Sequence, residues 1–165
     1  MEELLLEWWN AFPRLDSDAP TMSLRDQSKY LLKKYTIKEH KTKHNTQIDG
    51  ETIVTEIDET LICFKDIICK YRPHLHMGDY WLSIKIIDEQ INYRFYAIAE
   101  FEEGKQELMN AVHPHLNGGV PCLGSFQGDL ATNFKAGNYI QFLSTMKAYL
   151  QAYNGRSTYS RGSEY

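Results

Sequence analysis

The spacing of hydrophobic residues changes twice along the chain and divides it into a helical, a strand-rich and a second helical part. Apolar positions at helical spacing in residues 1–12 predict a short amphipathic helix that ends before Pro13. A second helix is predicted from Ser23, a residue type that caps helix N-termini, to about Lys34. Residues 13–22, rich in Pro, Asp and Ser, predict a loop between the two helices.

Four later segments show the alternation, or the enrichment in β-branched and aromatic residues, that is typical of strands. They are residues 51–57, 61–71, 79–88 and 91–101. Because the connections are short, these segments predict an antiparallel meander of three or four strands that begins at Glu51. Residues 36–50 are polar and basic and are assigned to the helical N-terminal part, and residues 102–110 are predicted to be a connection.

The pattern becomes helical again after Gly128. A short helix is predicted over residues 129–135, ending at Gly137, and a longer one over residues 139–153. The longer helix has a core-facing stripe formed by Ile140, Leu143, Met146, Leu150 and Tyr153. We therefore predict an α+β fold, an antiparallel meander flanked by helices. Its parts are an N-terminal helical segment at 1–50, an α+β core at 51–155 and a polar tail at 156–165.

Composition narrows the functional classes. The chain has 165 residues, of which 42% are hydrophobic and 24% charged, as in an ordinary globular domain. The net charge of −4 argues against nucleic acid as a partner, and no stretch approaches the length of a membrane span. The first residues contain no basic segment that would begin a signal peptide. Three cysteines without a CxxC motif indicate a reducing compartment, so we expect a cytoplasmic protein.

Candidate chemistry concentrates in residues 113–124, HPHLNGGVPCLG. The segment combines Cys122 with two histidines, His113 and His115. Glycine permits positive φ angles and proline stiffens the backbone, so the mixture predicts a loop of fixed shape. The residues expected to shape it are Pro114, Gly118, Gly119, Pro121 and Gly124.

This loop resembles the active-site loop of the ubiquitin-conjugating enzyme family. His113 and Pro114 match two positions of the family's His-Pro-Asn tripeptide, and Cys122 with Leu123 matches the catalytic cysteine and its aliphatic neighbour. The HPH and CLG elements are closest to bacterial and phage-borne relatives. The likeness extends over about residues 80–160. Two departures are that His115 replaces the asparagine and that the step from this position to the cysteine is seven, about one residue shorter than the common eukaryotic arrangement.

The resemblance implies a thioester-forming acyl transferase that carries a ubiquitin-like modifier. Cys122 is the expected acyl acceptor, and His113 and His115 are expected to order the loop or to stabilise the oxyanion. A modifier protein and an activating enzyme are the implied partners. No metal and no organic cofactor are implied.

Several alternatives stay open. A catalytically inactive member of the fold would act as an interaction or assembly module, and a phage-encoded protein would lie in the host cytoplasm or the virion. The neighbouring Trp8 and Trp9 would pack on the core or would dock a partner. A Cys-His hydrolase fits the residue types, whereas the nucleotide-deaminase pattern is matched only at Pro121 and Cys122. A zinc site is a further hypothesis. One candidate ligand set is His113, His115 and Cys122 with His74 or His76, and the other is the pair His40 and His44.

Overall fold

The protein combines helices with a five-stranded antiparallel sheet, which confirms the α+β class. The computed structural model describes residues 2–11, 22–87, 90–100 and 106–152. The elements are, in chain order, α1 Glu2–Ala11, α2 Leu24–Lys34, β1 Thr36–Ile48, β2 Glu51–Ile68, β3 His76–Ile87, β4 Gln90–Glu100, β5 Gln106–Asn110, β6 Leu116–Asn117, β7 Val120–Pro121, α3 Gln127–Ala136 and α4 Tyr139–Gln151. Strands β1 to β5 lie in one sheet in that order, and β6 pairs with β7 in a separate hairpin.

The sheet has more strands than the sequence predicted. It begins at Thr36 rather than Glu51, because β1, within the segment assigned to the helical part, pairs with β2 along its whole length. Asp49 and Gly50 form the turn between these strands, and both have the positive φ angles that tight hairpin turns require. The short edge strand β5 lies in the predicted connection. Polar composition concealed β1, because the hydrophobic pattern does not reveal a strand defined by its backbone pairing with β2.

The β1–β2 hairpin extends beyond the rest of the sheet. Pairing between β2 and β3 starts at Ile62, so residues 51–61 of β2 pair only with β1 in the described part of the chain. At the tip of this ribbon Ile48, Ile53 and Val54 are exposed. The tip therefore exposes aliphatic side chains among polar ones, at the far end of a two-stranded arm.

The predicted helix boundaries are confirmed at two places. Ser23 caps α2, because its Oγ accepts a hydrogen bond from the backbone N–H of Asp26 at 3.1 Å. Gly137 follows α3 in the left-handed conformation with φ 76°, and its N–H bonds back to the last turn. The prediction for α4 is also confirmed in its central part, where Leu143, Met146 and Leu150 are fully buried.

The helices bury aromatic side chains against one another and the sheet. Trp9 is fully buried and stacks on Tyr139, with ring centroids 4.0 Å apart, so of the two interpretations left open for this residue the structure supports packing on the core. The side chain of Trp8 lies outside the described part, as do the loop at 13–21, Tyr153 and the tail at 156–165. None of the described helices is long and apolar enough to span a membrane.

A buried glutamine ties the N-terminal helices to the C-terminal ones. Gln27 on α2 is 2% exposed and fills the junction between α3 and α4. Its Nε2 donates to the carbonyl of Gly137 at 2.9 Å, and its Oε1 accepts the N–H of Tyr139 at 2.8 Å. The N–H groups of a helix's first turn have no partner within the helix, so Gln27 supplies the N-terminal cap of α4 from a different part of the chain.

We expect Gln27→Leu to lower the free energy of unfolding by about 3 kcal/mol, because it leaves buried backbone groups without partners. Urea unfolding followed by circular dichroism measures the change. The control is Gln141→Leu, which replaces an exposed glutamine of α4 and should change stability by less than about 0.5 kcal/mol. Equal effects of the two substitutions would contradict a capping role for Gln27.

Candidate functional site

The loop between β5 and α3 is folded around a two-residue turn. Gly118 and Gly119 have φ angles of 56° and 83° and connect β6 to β7. Gly119 also approaches β4 closely, since a Cβ at this position would lie 2.7 Å from the carbonyl oxygen of Phe95. The N–H of Phe95 donates to the carbonyl of Gly119 at 2.8 Å. The hairpin is therefore fixed on the sheet at the one point where a side chain would not fit.

His113 holds the start of the loop against α4. The side chain is fully buried, and its Nε2 lies 2.6 Å from the carbonyl oxygen of Leu150. Its Nδ1 accepts the backbone N–H of His115 at 2.9 Å. Because one nitrogen faces an acceptor and the other a donor, the imidazole is neutral with its proton on Nε2. Burial lowers the pKa of His113 to about 4, while the bond to Leu150 opposes the shift.

The buried ring of Tyr80 packs against this histidine. The two ring centroids lie 5.3 Å apart in a T-shaped arrangement. The Tyr80 hydroxyl lies 2.9 Å from the carbonyl oxygen of Val112, the residue before His113. Strand β3 thus supports the entry to the loop from the sheet side.

His115 lies between two aromatic rings. Its ring centroid is 5.3 Å from that of His113 and 5.3 Å from that of Tyr149, on which it stacks. Burial lowers the pKa of His115, and a hydrogen bond with the backbone of Ala152 partly offsets this effect. The side chain is half-buried, so the neutral imidazole reaches the surface of the loop.

Cys122 is exposed, whereas Cys63 and Cys69 are buried. Burial also raises the pKa of the Cys63 thiol to about 12. The backbone of Cys122 is fixed on both sides. Its N–H donates to the carbonyl of His115 at 3.1 Å, and its carbonyl accepts from the Tyr149 hydroxyl at 2.9 Å. The chain therefore presents a single solvent-facing thiol on an immobilised backbone.

The structure brings the three predicted catalytic residues close together, but their surroundings differ. Cys122 and the two histidines share one hydrogen-bonded unit, in which His113 is wholly internal and His115 is partly accessible. Among the loop-shaping residues, Pro114 is buried and Pro121 is half-buried. Gly118, Gly119 and Gly124 all have positive φ angles, as expected for their predicted role.

Sequence reasoning missed the residues that support the loop from outside. Tyr149 has no motif around it, although its three-residue step from Met146 places it on the buried side of α4. Leu150 contributes a backbone carbonyl, which no sequence pattern reveals.

A groove of about 540 Å³ adjoins the loop. One wall is Phe126, four residues after Cys122, whose ring packs against Tyr149 at 5.6 Å. The remaining lining comes from the end of β2 with the turn after it and from the end of α4, namely Ile68, Cys69, Lys70, Tyr71, Pro73, Ala148, Gln151 and Ala152. The lining is mostly apolar, with Lys70 as its single charged residue.

The zinc readings receive no support from the geometry. Within the described residues, no three His, Cys, Asp or Glu side chains are grouped so that they could hold a metal ion. His40 and His44 lie on strand β1, where a four-residue step separates backbone positions by about 13 Å. The helical spacing on which that reading depended does not exist.

We expect Gly119→Ala to destabilise the fold by about 3 kcal/mol, because it combines a positive φ with a clash against the Phe95 carbonyl. Gly118→Ala is the matched control, since its Cβ would meet no atom within 4 Å and only the cost of the positive φ, about 1 kcal/mol, applies. Chemical denaturation compares the two variants. A control as unstable as Gly119→Ala would show that close approach to β4 is unimportant.

The lowered pKa of His113 predicts that the protein loses stability in acid. The unfolded chain takes up a proton near pH 6.5 and the folded one only near pH 4, so stability is complete above pH 6.5 and falls as the pH decreases between these values. The loss due to His113 is about 3 kcal/mol. Urea unfolding from pH 7 to pH 4 measures how the free energy of unfolding depends on pH. This dependence should be shallower in His113→Gln, where the lowered pKa of His115 still contributes. It should be unchanged in the control His74→Gln, which replaces an exposed residue. An unchanged slope in His113→Gln would contradict this assignment.

Comparisons with known proteins found no relative that bears on the function of this chain. No family model, no curated protein and no solved structure matches the chain. Residues 113–124 still resemble the loop of ubiquitin-conjugating enzymes, and the contacts described above are the structural facts about this loop.

Proposed function

We propose that the protein carries the C-terminal acyl group of a ubiquitin-like modifier as a thioester on Cys122 and transfers it to an amine. The observation that carries the proposal is that the exposed cysteine also has a backbone held on both sides, by His115 and Tyr149. Backbone hydrogen bonds hold Cys63 and Cys69 as well, but both thiols are buried and so cannot meet an acyl donor.

The chemistry proceeds in two steps. In loading, the Cys122 sulfur attacks the acyl carbon of an activated modifier, the bond to the previous carrier breaks, and a carbon–sulfur bond forms. In transfer, a neutral amine attacks the same carbon, the carbon–sulfur bond breaks, and the thiolate leaves while the amine loses a proton to solvent. A cysteine suits both steps because its thiolate is a strong nucleophile and also an effective leaving group.

The two histidines take different parts in this proposal. His113 is fully buried, so it orders the loop through its bonds to Leu150 and His115 and does not touch the acyl group. His115 is partly accessible and, with its lowered pKa, neutral at pH 7. A neutral imidazole has one N–H, which in His115 is engaged with the backbone of Ala152. In this proposal His115 becomes the oxyanion donor by exchanging that hydrogen bond for one to the oxyanion.

The groove beside Phe126 gives the acyl group's peptide a place to lie. Of its lining residues Phe126, four residues after Cys122, is the nearest in sequence to the thiol, and the lining is mainly apolar. A modifier tail bound there and extending past Phe126 to the thiol would lower the entropic cost of the attack.

A second candidate function is supported by a different surface. The tip of the β1–β2 ribbon exposes Ile48 and Ile53 on one face and Val54 on the other, and exposed aliphatic side chains on a protruding ribbon favour a contact with another protein. An inactive member of the fold that assembles with other protein subunits would use such a surface. This alternative does not require the supported thiol.

The proposal predicts that Cys122 exchanges with a small thioester. The folded protein is incubated at pH 7.5 with a peptide ending in Gly-Gly as its mercaptoethanesulfonate thioester, and the product is followed by intact mass. We expect one adduct that hydroxylamine removes, formed at least about tenfold faster than with the urea-unfolded protein.

Two variants control this experiment. Cys122→Ser should form no hydroxylamine-labile adduct, whereas Cys63→Ser combined with Cys69→Ser should load like the parent protein. Loading of Cys122 that is no faster than in the unfolded chain would favour the interaction module over the thioester carrier.

A further inference from the structure

We propose that Tyr149 is a positioning residue for acyl transfer, an inference that rests on the proposed thioester function. Its hydroxyl lies 2.8 Å from the carbonyl oxygen of His115 and 2.9 Å from that of Cys122. The hydroxyl has one proton, so the two carbonyls share it in a three-centre arrangement. One side chain from α4 thereby joins both arms of the β6–β7 hairpin at its base.

The position of the hydroxyl is itself fixed. Tyr149 is 2% exposed and belongs to a helix whose neighbouring residues Met146 and Leu150 are fully buried. Its ring is held between His115, on which it stacks, and Phe126, which meets it edge-on. A buried ring with two such contacts keeps its oxygen in place far better than an exposed tyrosine would.

The consequence for Cys122 is that both of its peptide groups are immobilised. The preceding peptide donates its N–H to the carbonyl of His115, which also binds the Tyr149 hydroxyl. The following peptide offers its carbonyl to the same hydroxyl. With both peptide planes fixed, the direction of the Cα–Cβ bond is set, and rotation about that bond and the bonds beyond it is what remains free to the sulfur.

Such restraint matters for one step more than for others. An amine that attacks a thioester must approach the acyl carbon along a defined direction, beside the donor that will bind the oxyanion. Alkylation of a free thiol by a small reagent has no such requirement, because the reagent can approach from any open side. Loss of the Tyr149 hydroxyl should therefore slow acyl transfer selectively.

The test compares two tyrosines of the same helix. Tyr149→Phe keeps the ring contacts and removes the hydroxyl. Tyr139→Phe is the matched control, since Tyr139 is also buried on α4 and its hydroxyl also lies near a backbone carbonyl. That carbonyl belongs to Trp9 of α1, at 3.4 Å, and Tyr139 is at the beginning of α4, whereas Tyr149 is near its end. Each protein is loaded on Cys122 with the Gly-Gly peptide thioester, and loss of the adduct is followed at increasing concentrations of lysine amide.

We expect the second-order rate constant for lysine amide to fall about tenfold in Tyr149→Phe and less than about twofold in Tyr139→Phe. The rate of alkylation of unloaded Cys122 by iodoacetamide should change less than about twofold in either variant. Equal aminolysis in Tyr149→Phe and the parent protein, or an equal decrease in Tyr139→Phe, would overturn the positioning role.

The failure of the underlying function has a different signature. It is seen without any variant: if the thioester proposal is wrong, the adduct on the parent protein reacts with lysine amide no faster than the same peptide thioester on glutathione. An accelerated parent reaction that Tyr149→Phe leaves intact refutes only the positioning role.

Discussion

The hydrogen bond from the buried imidazole of His113 to the carbonyl of Leu150 is the interaction on which the loop depends. A buried ring nitrogen without an acceptor is costly, and the last carbonyls of a helix have no partner within it. In this protein one hydrogen bond meets both needs, because Nε2 of His113 donates to the carbonyl oxygen of Leu150 at 2.6 Å. The other ring nitrogen then fixes the backbone of His115, and through it Cys122, the residue that follows β7. The position of the loop and of Cys122 therefore depends on the C-terminal end of α4.

The same principle operates at the beginning of α4. Gln27 caps that end from α2, 112 residues away from Tyr139 in sequence. A long helix whose first N–H groups and last carbonyls both have partners elsewhere in the chain cannot shift without breaking contacts at two places. This arrangement makes α4 a rigid support, which is what a loop with a reactive side chain requires.

Local signals let the sequence predict many elements, and long-range contacts explain most of what it did not predict. Ser23 and Gly137 act within one turn of their own helices, so their roles follow from residue type alone. Strand β1 was missed because its residues are polar, although the Asp49-Gly50 pair is a strong hairpin signal that the hydrophobic pattern overlooks. That residues 113–124 form a loop of fixed shape could be predicted from their glycines and prolines, and the histidines and the cysteine marked it as the candidate site. The supporting role of Tyr149 was not visible, because it depends on the way α4 packs.

The position of Leu150 after the loop in the chain has a consequence for protein synthesis. The five strands of the sheet are all joined to sequence neighbours, so each can pair as soon as the next has been made. His113, by contrast, has to wait for an acceptor that lies 37 residues further on. During translation Cys122 is thus made before the contacts with α4 that fix it, and the surroundings of the thiol are completed only after Leu150 has emerged from the ribosome.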